Sequence, residues 1–363
     1  MREYIRNHKK LHIWLLAETL VLAAFFALRG NRALVDGFTS YFADPVRRAL
    51  RAASDTVPFS IAEVCCVLLV LAAAALLIFA AVRLIRGKKR GETLALLAER
   101  LLAIGLTVYA VFCLLWGVYY YTDRFYEQSG LDARGGTAQE LAVLTRRFAD
   151  GAARAAEQTQ RTADGRFSAD RDAILAQADT VYDCLYAEFP FLRQKDSPPK
   201  PIFFSRIMSY LDFTGFYCPF TGESNVNMDS PVTALPETVA HELAHRRGIA
   251  SEQECSFLGI LAAVKTDNAD YNYSGWLAGY IYLSNALYAA DYETWREIAL
   301  SLPDTVRADL RYTSEYWAQF EGAVQKASDT VYDGFLKSYG SDIRSYGACV
   351  DLLLAYYENE ETA

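Results

Sequence analysis

The chain has 363 residues, 52% of them hydrophobic and 22% charged, with a formal net charge of -8. This apolar fraction excludes a disordered polymer, and the length allows two or three domains with a sizeable core. Residues 1–121 hold fifteen Lys and Arg against eight Asp and Glu, a net of +7, so residues 122–363 carry the difference between -8 and +7, or -15; an acidic region of that kind repels phosphate and excludes a nucleic-acid binder.

In chain order, residues 13–28, 61–85 and 101–121 are apolar enough to cross a bilayer, which takes roughly 20 residues of helix. The first stretch carries Glu18, and Phe25 before Ala27 spoils the small-x-small pattern of a signal cleavage site, so an uncleaved span is expected. Arg2, Arg6, Lys9 and Lys10 precede it, while Arg86, Lys88, Lys89, Arg90 and Arg100 crowd the connection between the second and third. Short basic flanks stay in the cytoplasm. The expected product of this asymmetry is a multi-pass protein of the cytoplasmic membrane, N-terminus inside, with residues 29–60 and everything after Tyr121 outside. Trp116, Tyr119, Tyr120 and Tyr121 suggest an interfacial aromatic belt.

Residues 122–363 read as mostly helical. Thr137 and Glu140 form a capping box ahead of Leu141, Val143, Leu144 and Phe148, and a second amphipathic helix is predicted over about 169–188. Pro199 and Pro201 interrupt the helices before a short strand at 202–204, and residues 223–228 alternate like an edge strand. Helices resume near Pro236, with breaks near Gly248, Asn272 and Pro303. Cys184, Cys218, Cys255 and Cys349 lie outside the spans without a CxxC pair, which speaks against a metal knuckle and leaves disulfides and buried thiols both open.

The chemistry concentrates at His241-Glu242-Leu243-Ala244-His245. Residues four apart share a helix face, so both imidazoles can meet one metal ion with Glu242 beside them. With 4 His and 44 acidic residues in the chain, random placement would produce such a pattern about 0.005 times per chain, so chance is a poor explanation. The other histidines, His8 and His12, sit at the start of the first span and are out of reach. A catalytic zinc keeps three protein ligands and one open position. The third must then be a carboxylate, and Glu252 and Glu254 are the near candidates. Ser251 and Glu254 form a capping box, which gives Glu254 a structural task and makes Glu252 the favoured ligand, with Glu254 as runner-up. Gly248 supplies a tight reversal between two helices.

This segment resembles the gluzincin metallopeptidases, in which HExxH is followed on a second helix by a glutamate ligand in an E-x-x-x-D or E-x-x-A-[DN] setting. Glu252 matches that ligand, whereas Cys255 and Ser256 depart from the positions after it. The Pro58-Phe59-Ser60 turn, the Leu115-Trp116-Gly117 exit, Phe220-Thr221-Gly222-Glu223 and HELAHRRGIASEQE together resemble an uncharacterised family of bacterial membrane-anchored HExxH proteins, domain of unknown function 3810. The resemblance implies a mainly α protein: a three-helix membrane anchor, residues 1–121, followed by an extracytoplasmic α+β zincin-like domain, residues 122–363, with a small sheet and the HExxH helix. It further implies Zn2+ held by His241, His245 and Glu252, with Glu242 as the base. A peptide substrate is expected to add to the 223–228 strand, beside Glu223, Asn225 and Asn227. Oxyanion stabilisation falls to Tyr271, Tyr273, Tyr280 or an Arg. The expected function is hydrolysis of peptides at the outer membrane face. The alternative is a non-catalytic scaffold or sensor with a structural zinc.

Overall fold

The computed structural model describes residues 2–87, 90–131, 133, 135–339 and 347–362; Lys88 and Lys89 of the basic connection lie outside the described residues. The chain divides into two compact units, Met1–Thr122 with Cys218–Gly222, and Asp123–Tyr217 with Glu223–Ala363.

Three helices of the first unit are long and apolar enough to cross a membrane: α1 (Lys9–Leu28), α3 (Ile61–Ile85) and α4 (Arg90–Leu115). Between the first two lies α2 (Asp44–Ser54). At 1.5 Å per residue, the 25 residues of α3 exceed the roughly 30 Å of a hydrocarbon core. Ser60 starts α3 by accepting the Glu63 N–H at 3.0 Å. Its aliphatic side chains point outward, with Val70 67% and Ile78 64% exposed. An exposed apolar surface on a helix of this length marks membrane association. The acid in α1 is accommodated by α4, because the Thr107 hydroxyl donates to Glu18.

The third helix begins eleven residues before its predicted start and ends at Leu115, followed by a 3-10 turn over Gly117–Tyr121. Its first turns are polar but helix-forming, and Glu92 and Glu99 there pair with His8 (3.9 Å) and His12 (3.5 Å). Apolarity marks only the stretch of a helix that faces lipid. The expected aromatic belt is also revised, since Trp116 and Tyr119 are buried. The Tyr119 hydroxyl donates to Asp44 at 2.6 Å, and Arg47 donates to the same carboxylate at 2.8 Å.

In the second unit, α5 (Ala138–Ala156) starts with the Thr137/Glu140 capping box and packs on α8 (Ala269–Ala290). The helix predicted over 169–188 stops at Ala176 and continues as turns. Thr180, Val181 and Tyr182 are weak helix formers, and tertiary contacts prevail there: Tyr182 is fully buried and donates to the Ala240 carbonyl at 2.8 Å. The break placed near Asn272 falls instead at Asn268, whose side chain caps α8.

A three-stranded sheet has the order β1 (Lys200–Pro201), β3 (Glu223–Val226), β2 (Gly215–Cys218), with β1 and β3 parallel in the register Lys200 to Asn225. The segment expected as an edge strand is therefore the central one, and Glu223, Ser224, Asn225 and Asn227 are completely buried. Their polar alternation reflects buried hydrogen bonding and not a solvated face. The sheet lies on α6 (Leu235–Arg246), which packs against α7 (Glu252–Lys265), and α7 against α8. Helices α9 (Asp304–Ala318), α10 (Ala323–Ser338) and α11 (Gly347–Thr362) complete the unit. All seven cysteines are free thiols.

Candidate metal centre

Helix α6 carries His241, Glu242 and His245. Pro236 stands in its first turn, where a missing N–H costs nothing. Its C-terminus is anchored by two buried arginines. Arg246 donates to the Ser197 carbonyl at 2.7 Å, and Arg247 pairs with Asp196 at 2.5 Å while lying 3.7 Å over the Tyr182 ring. Gly248, at φ +87°, then reverses the chain, and Ser251 caps α7. Helices α6 and α7 approach closely at Gly259, where a Cβ would lie 3.0 Å from the His241 nitrogen. That crossing brings the first residue of α7, Glu252, to the two histidines.

Glu252 Oε2 lies 3.2 Å from His241 Nε2 and 3.5 Å from His245 Nε2, and one ligand atom from each of the three residues falls within 4.8 Å of the others. The three donor atoms are near enough together to meet one metal ion, without specifying which. The remaining ring nitrogens are held from behind. His245 Nδ1 lies 2.8 Å from the Ile249 carbonyl and donates to it, which orients the ring with Nε2 toward Glu252. Cys255 Sγ lies 3.3 Å from the same nitrogen, and Ser256 Oγ lies 3.4 Å from His241 Nδ1 and 2.9 Å from the Tyr282 hydroxyl. The two positions that depart from the gluzincin pattern thus contact the backs of the two imidazoles.

Electrostatics follow burial. Burial drives the Glu252 carboxyl upward, but the two imidazoles outweigh it and hold the group well below the usual carboxylate range. Burial holds the His241 imidazole below its ordinary value, whereas at His245 burial is outweighed by Cys255 and Glu252, which hold that imidazole well above its ordinary value. Glu242 is pushed up to about 8 by burial. Its Oε2 is buried without a hydrogen-bond partner among the described residues. A buried carboxylate oxygen left this way is costly unless a ligand or water meets it. Space beside it is kept by Gly215 of β2, where a Cβ would lie 2.6 Å from Glu242 Oε1.

Glu254, the alternative ligand, is turned elsewhere: its carboxylate accepts the Tyr126 N–H at 3.2 Å. Asn227 donates to Ser209 Oγ at 3.0 Å and to the Phe213 carbonyl at 2.9 Å, and the Asn225 amide donates to the Glu223 carbonyl at 3.3 Å. These side chains tie β3 and its neighbours together. They do not line an open strand, and the longer outer strand of the sheet is β2. Tyr271 is buried and donates to the Ile174 carbonyl at 2.8 Å, and Tyr273 donates to Asp309 at 2.5 Å, so neither hydroxyl is at the metal donors. The tyrosine that is there is Tyr332 of α10, which donates to Glu252 Oε1 at 2.7 Å. Among 24 Tyr, no local pattern distinguishes a residue 80 positions downstream of the glutamate it contacts. The Gly-aromatic composition of residues 210–227 was the only available hint of Gly215.

A family model described as a protein of unknown function (DUF3810) matches residues 38–354. No curated protein and no solved structure matches the chain. The match takes in α3, α4, the sheet and the paired helices α6 and α7, and on that extent the chain belongs to the DUF3810 family.

Proposed function

We propose that the protein is a membrane-anchored zinc metallopeptidase whose second unit faces the outer side of the cytoplasmic membrane. The observation that carries the reading is the buried, partnerless Glu242 oxygen on the same helix as two histidines whose Nε2 atoms lie 3.2 and 3.5 Å from Glu252. Zinc at these donors would supply Lewis acidity, polarising a carbonyl and lowering the pKa of water to about 7. Glu242 takes the proton from the attacking water and returns it to the leaving amine. Tyr332 and the groups behind the imidazoles fix the donor atoms, so that little reorganisation accompanies reaction.

A closed structural site would have four protein ligands. Glu254, the natural fourth, faces Tyr126, which argues for an open position. The orientation rests on the basic flanks of α1 and α4. The opposite connection also holds Arg29, Arg32, Arg47, Arg48 and Arg51, spread over a longer segment, with Arg47 and Arg51 paired to Asp44 and Asp55 at 2.8 and 3.4 Å.

The test is digestion of a peptide library by the full chain in lipid nanodiscs. Glu242→Gln retains zinc and loses about a hundredfold or more of hydrolysis. Undiminished hydrolysis by this variant contradicts the assignment.

A further inference from the structure

The membrane unit also buries an acid, Glu18, midway along α1 and only 7% exposed. Its Oε1 meets the Thr107 hydroxyl of α4, and its Oε2 is buried without a hydrogen-bond partner among the described residues. No Lys or Arg lies between Lys10 and Arg29 on α1, or between Arg100 and the end of α4 at Leu115. Neither helix therefore places a cation beside a carboxylate there. An ionisable side chain inside a span is costly, and such groups mark ion and proton sites.

Three groups converge on Thr107 Oγ1: the Trp14 indole N–H donates to it at 3.1 Å, the Ala103 carbonyl lies 2.8 Å away, and Glu18 Oε1 is the third. A hydroxyl has one proton to give and two lone pairs with which to receive, whereas an indole only donates and a carbonyl only accepts. When Glu18 is ionised, it competes with Ala103 for the single Thr107 proton. A proton on Glu18 Oε1 ends the competition: Glu18 donates to Thr107, Thr107 donates to Ala103, and Trp14 fills the remaining lone pair. Oε2 is then a neutral carbonyl oxygen, far less costly to bury unpaired than half of a carboxylate. A metal cation is disfavoured, because the Trp14 N–H is directed at the same hydroxyl oxygen that would have to bind the ion.

We propose that Glu18 is a proton-binding site inside the membrane unit, loaded from the N-terminal end of α1. The inference rests on α1 and α4 crossing a bilayer and is independent of the metal centre. Toward that end the same seam carries further titratable groups. His12 Nε2 lies 3.5 Å from Glu99 Oε1, the Tyr4 hydroxyl donates to Glu99 Oε2 at 3.0 Å, and His8 Nε2 lies 3.9 Å from Glu92. Lys9, Lys10 and Arg100 stand beside them and mark that end as aqueous. His12 precedes Glu18 by six residues, roughly 9 Å of helix, and histidine is the usual proton shuttle near neutral pH. In the other direction Leu22 and Phe25 are buried in the seam. The next polar pair there, Arg29 donating to Tyr121 at 2.6 Å, lies roughly 16 Å along α1. On α4, the titratable groups between Arg100 and Leu115 are Tyr109 and Cys113. One proton from bulk water at the N-terminal end thus converts the Glu18 carboxylate to the acid, and the same proton returns on release.

The test is infrared difference spectroscopy on the full chain in lipid nanodiscs, with wild type and Glu18→Gln compared as pH is raised and lowered. Subtracting the variant isolates Glu18 from every other carboxyl, and the amide bands of the same spectra report whether each variant is folded. The difference is expected to contain a neutral carboxyl C=O band that gives way reversibly to carboxylate bands as pH rises. Thr107→Val, which keeps the shape and removes the hydroxyl, should shift that band. Transfer to heavy water should also shift it, as the bound proton exchanges, and more slowly in His12→Gln/Glu99→Gln. Carboxylate bands alone at every pH overturn the site. A neutral band that neither titrates nor exchanges overturns reversible proton binding, and exchange unaffected by the double substitution overturns the N-terminal route.

Discussion

In the membrane unit, α3 turns Val70, Leu71 and Ile78 outward, while in the second unit the side chains hidden from solvent include Glu242, Glu254, Arg246 and Asp309. Each pattern would be unfavourable if water were the only surroundings. Exposed aliphatic surface is costly unless lipid covers it, and a buried charge is costly unless a partner or ligand compensates it. The comparison teaches where to look for each unit's purpose. In the first, the departure covers most of a helix surface and marks membrane association. In the second, most buried charges have visible partners, such as Arg247 with Asp196 or Asp309 with Tyr273. Glu242, on the same helix as the two histidines, has a buried oxygen with no hydrogen-bond partner among the described residues.

The strongest test of this contrast is the partnered side. Arg247→Met leaves Asp196 buried beside a neutral chain and should destabilise the second unit by about 3–5 kcal/mol, seen as a lower urea midpoint for its proteolysis in nanodiscs. An unchanged midpoint would mean the pair contributes nothing. A matched pair of substitutions then separates the two surfaces. Leu71 is 59% exposed and Val143 of α5 58% exposed, so exposure alone predicts equal tolerance to lysine. Lipid around α3 instead predicts a cost of about 2.5–3.5 kcal/mol for Leu71→Lys on the membrane-insertion scale and less than about 0.5 kcal/mol for Val143→Lys. Insertion measured by glycosylation mapping and stability by proteolysis would expose equal behaviour. The smallest effect concerns the metal donors: Tyr332→Phe removes the hydrogen bond to Glu252 and should weaken zinc binding by about tenfold to a hundredfold, read by competition with a chelator. Unaltered affinity would contradict that role for Tyr332.

Local features were the legible ones. The periodicity of a helix is set within a few residues, so the shared face of His241 and His245, the cap at Ser251 and the reversal at Gly248 could be read directly, and with them the meeting of Glu252 with the two histidines. Long apolar runs announced three membrane helices for the same reason. Sheet order is different. Whether β3 is central or outermost depends on β1, more than twenty residues earlier, and the alternation of Glu223, Asn225 and Asn227 is identical in both cases. The early start of α4 was hidden because its polar turns are paired with His8 and His12, which sequence proximity does not show. Cys255 and Ser256 looked like departures from a pattern until their positions behind the imidazoles were visible. Tyr332 belongs to a helix that meets the metal helices only through tertiary packing.

The central claim is that His241, His245 and Glu252 hold a metal and leave a position open. Zinc-edge X-ray absorption on the full chain purified without added metal tests it most directly. The account predicts nitrogen and oxygen donors alone at about 2.0–2.1 Å, two of them imidazoles, with the signal abolished in His245→Ala. A sulfur shell near about 2.3 Å, which would bring Cys255 into the coordination sphere, or zinc retained undiminished in His245→Ala, would contradict it.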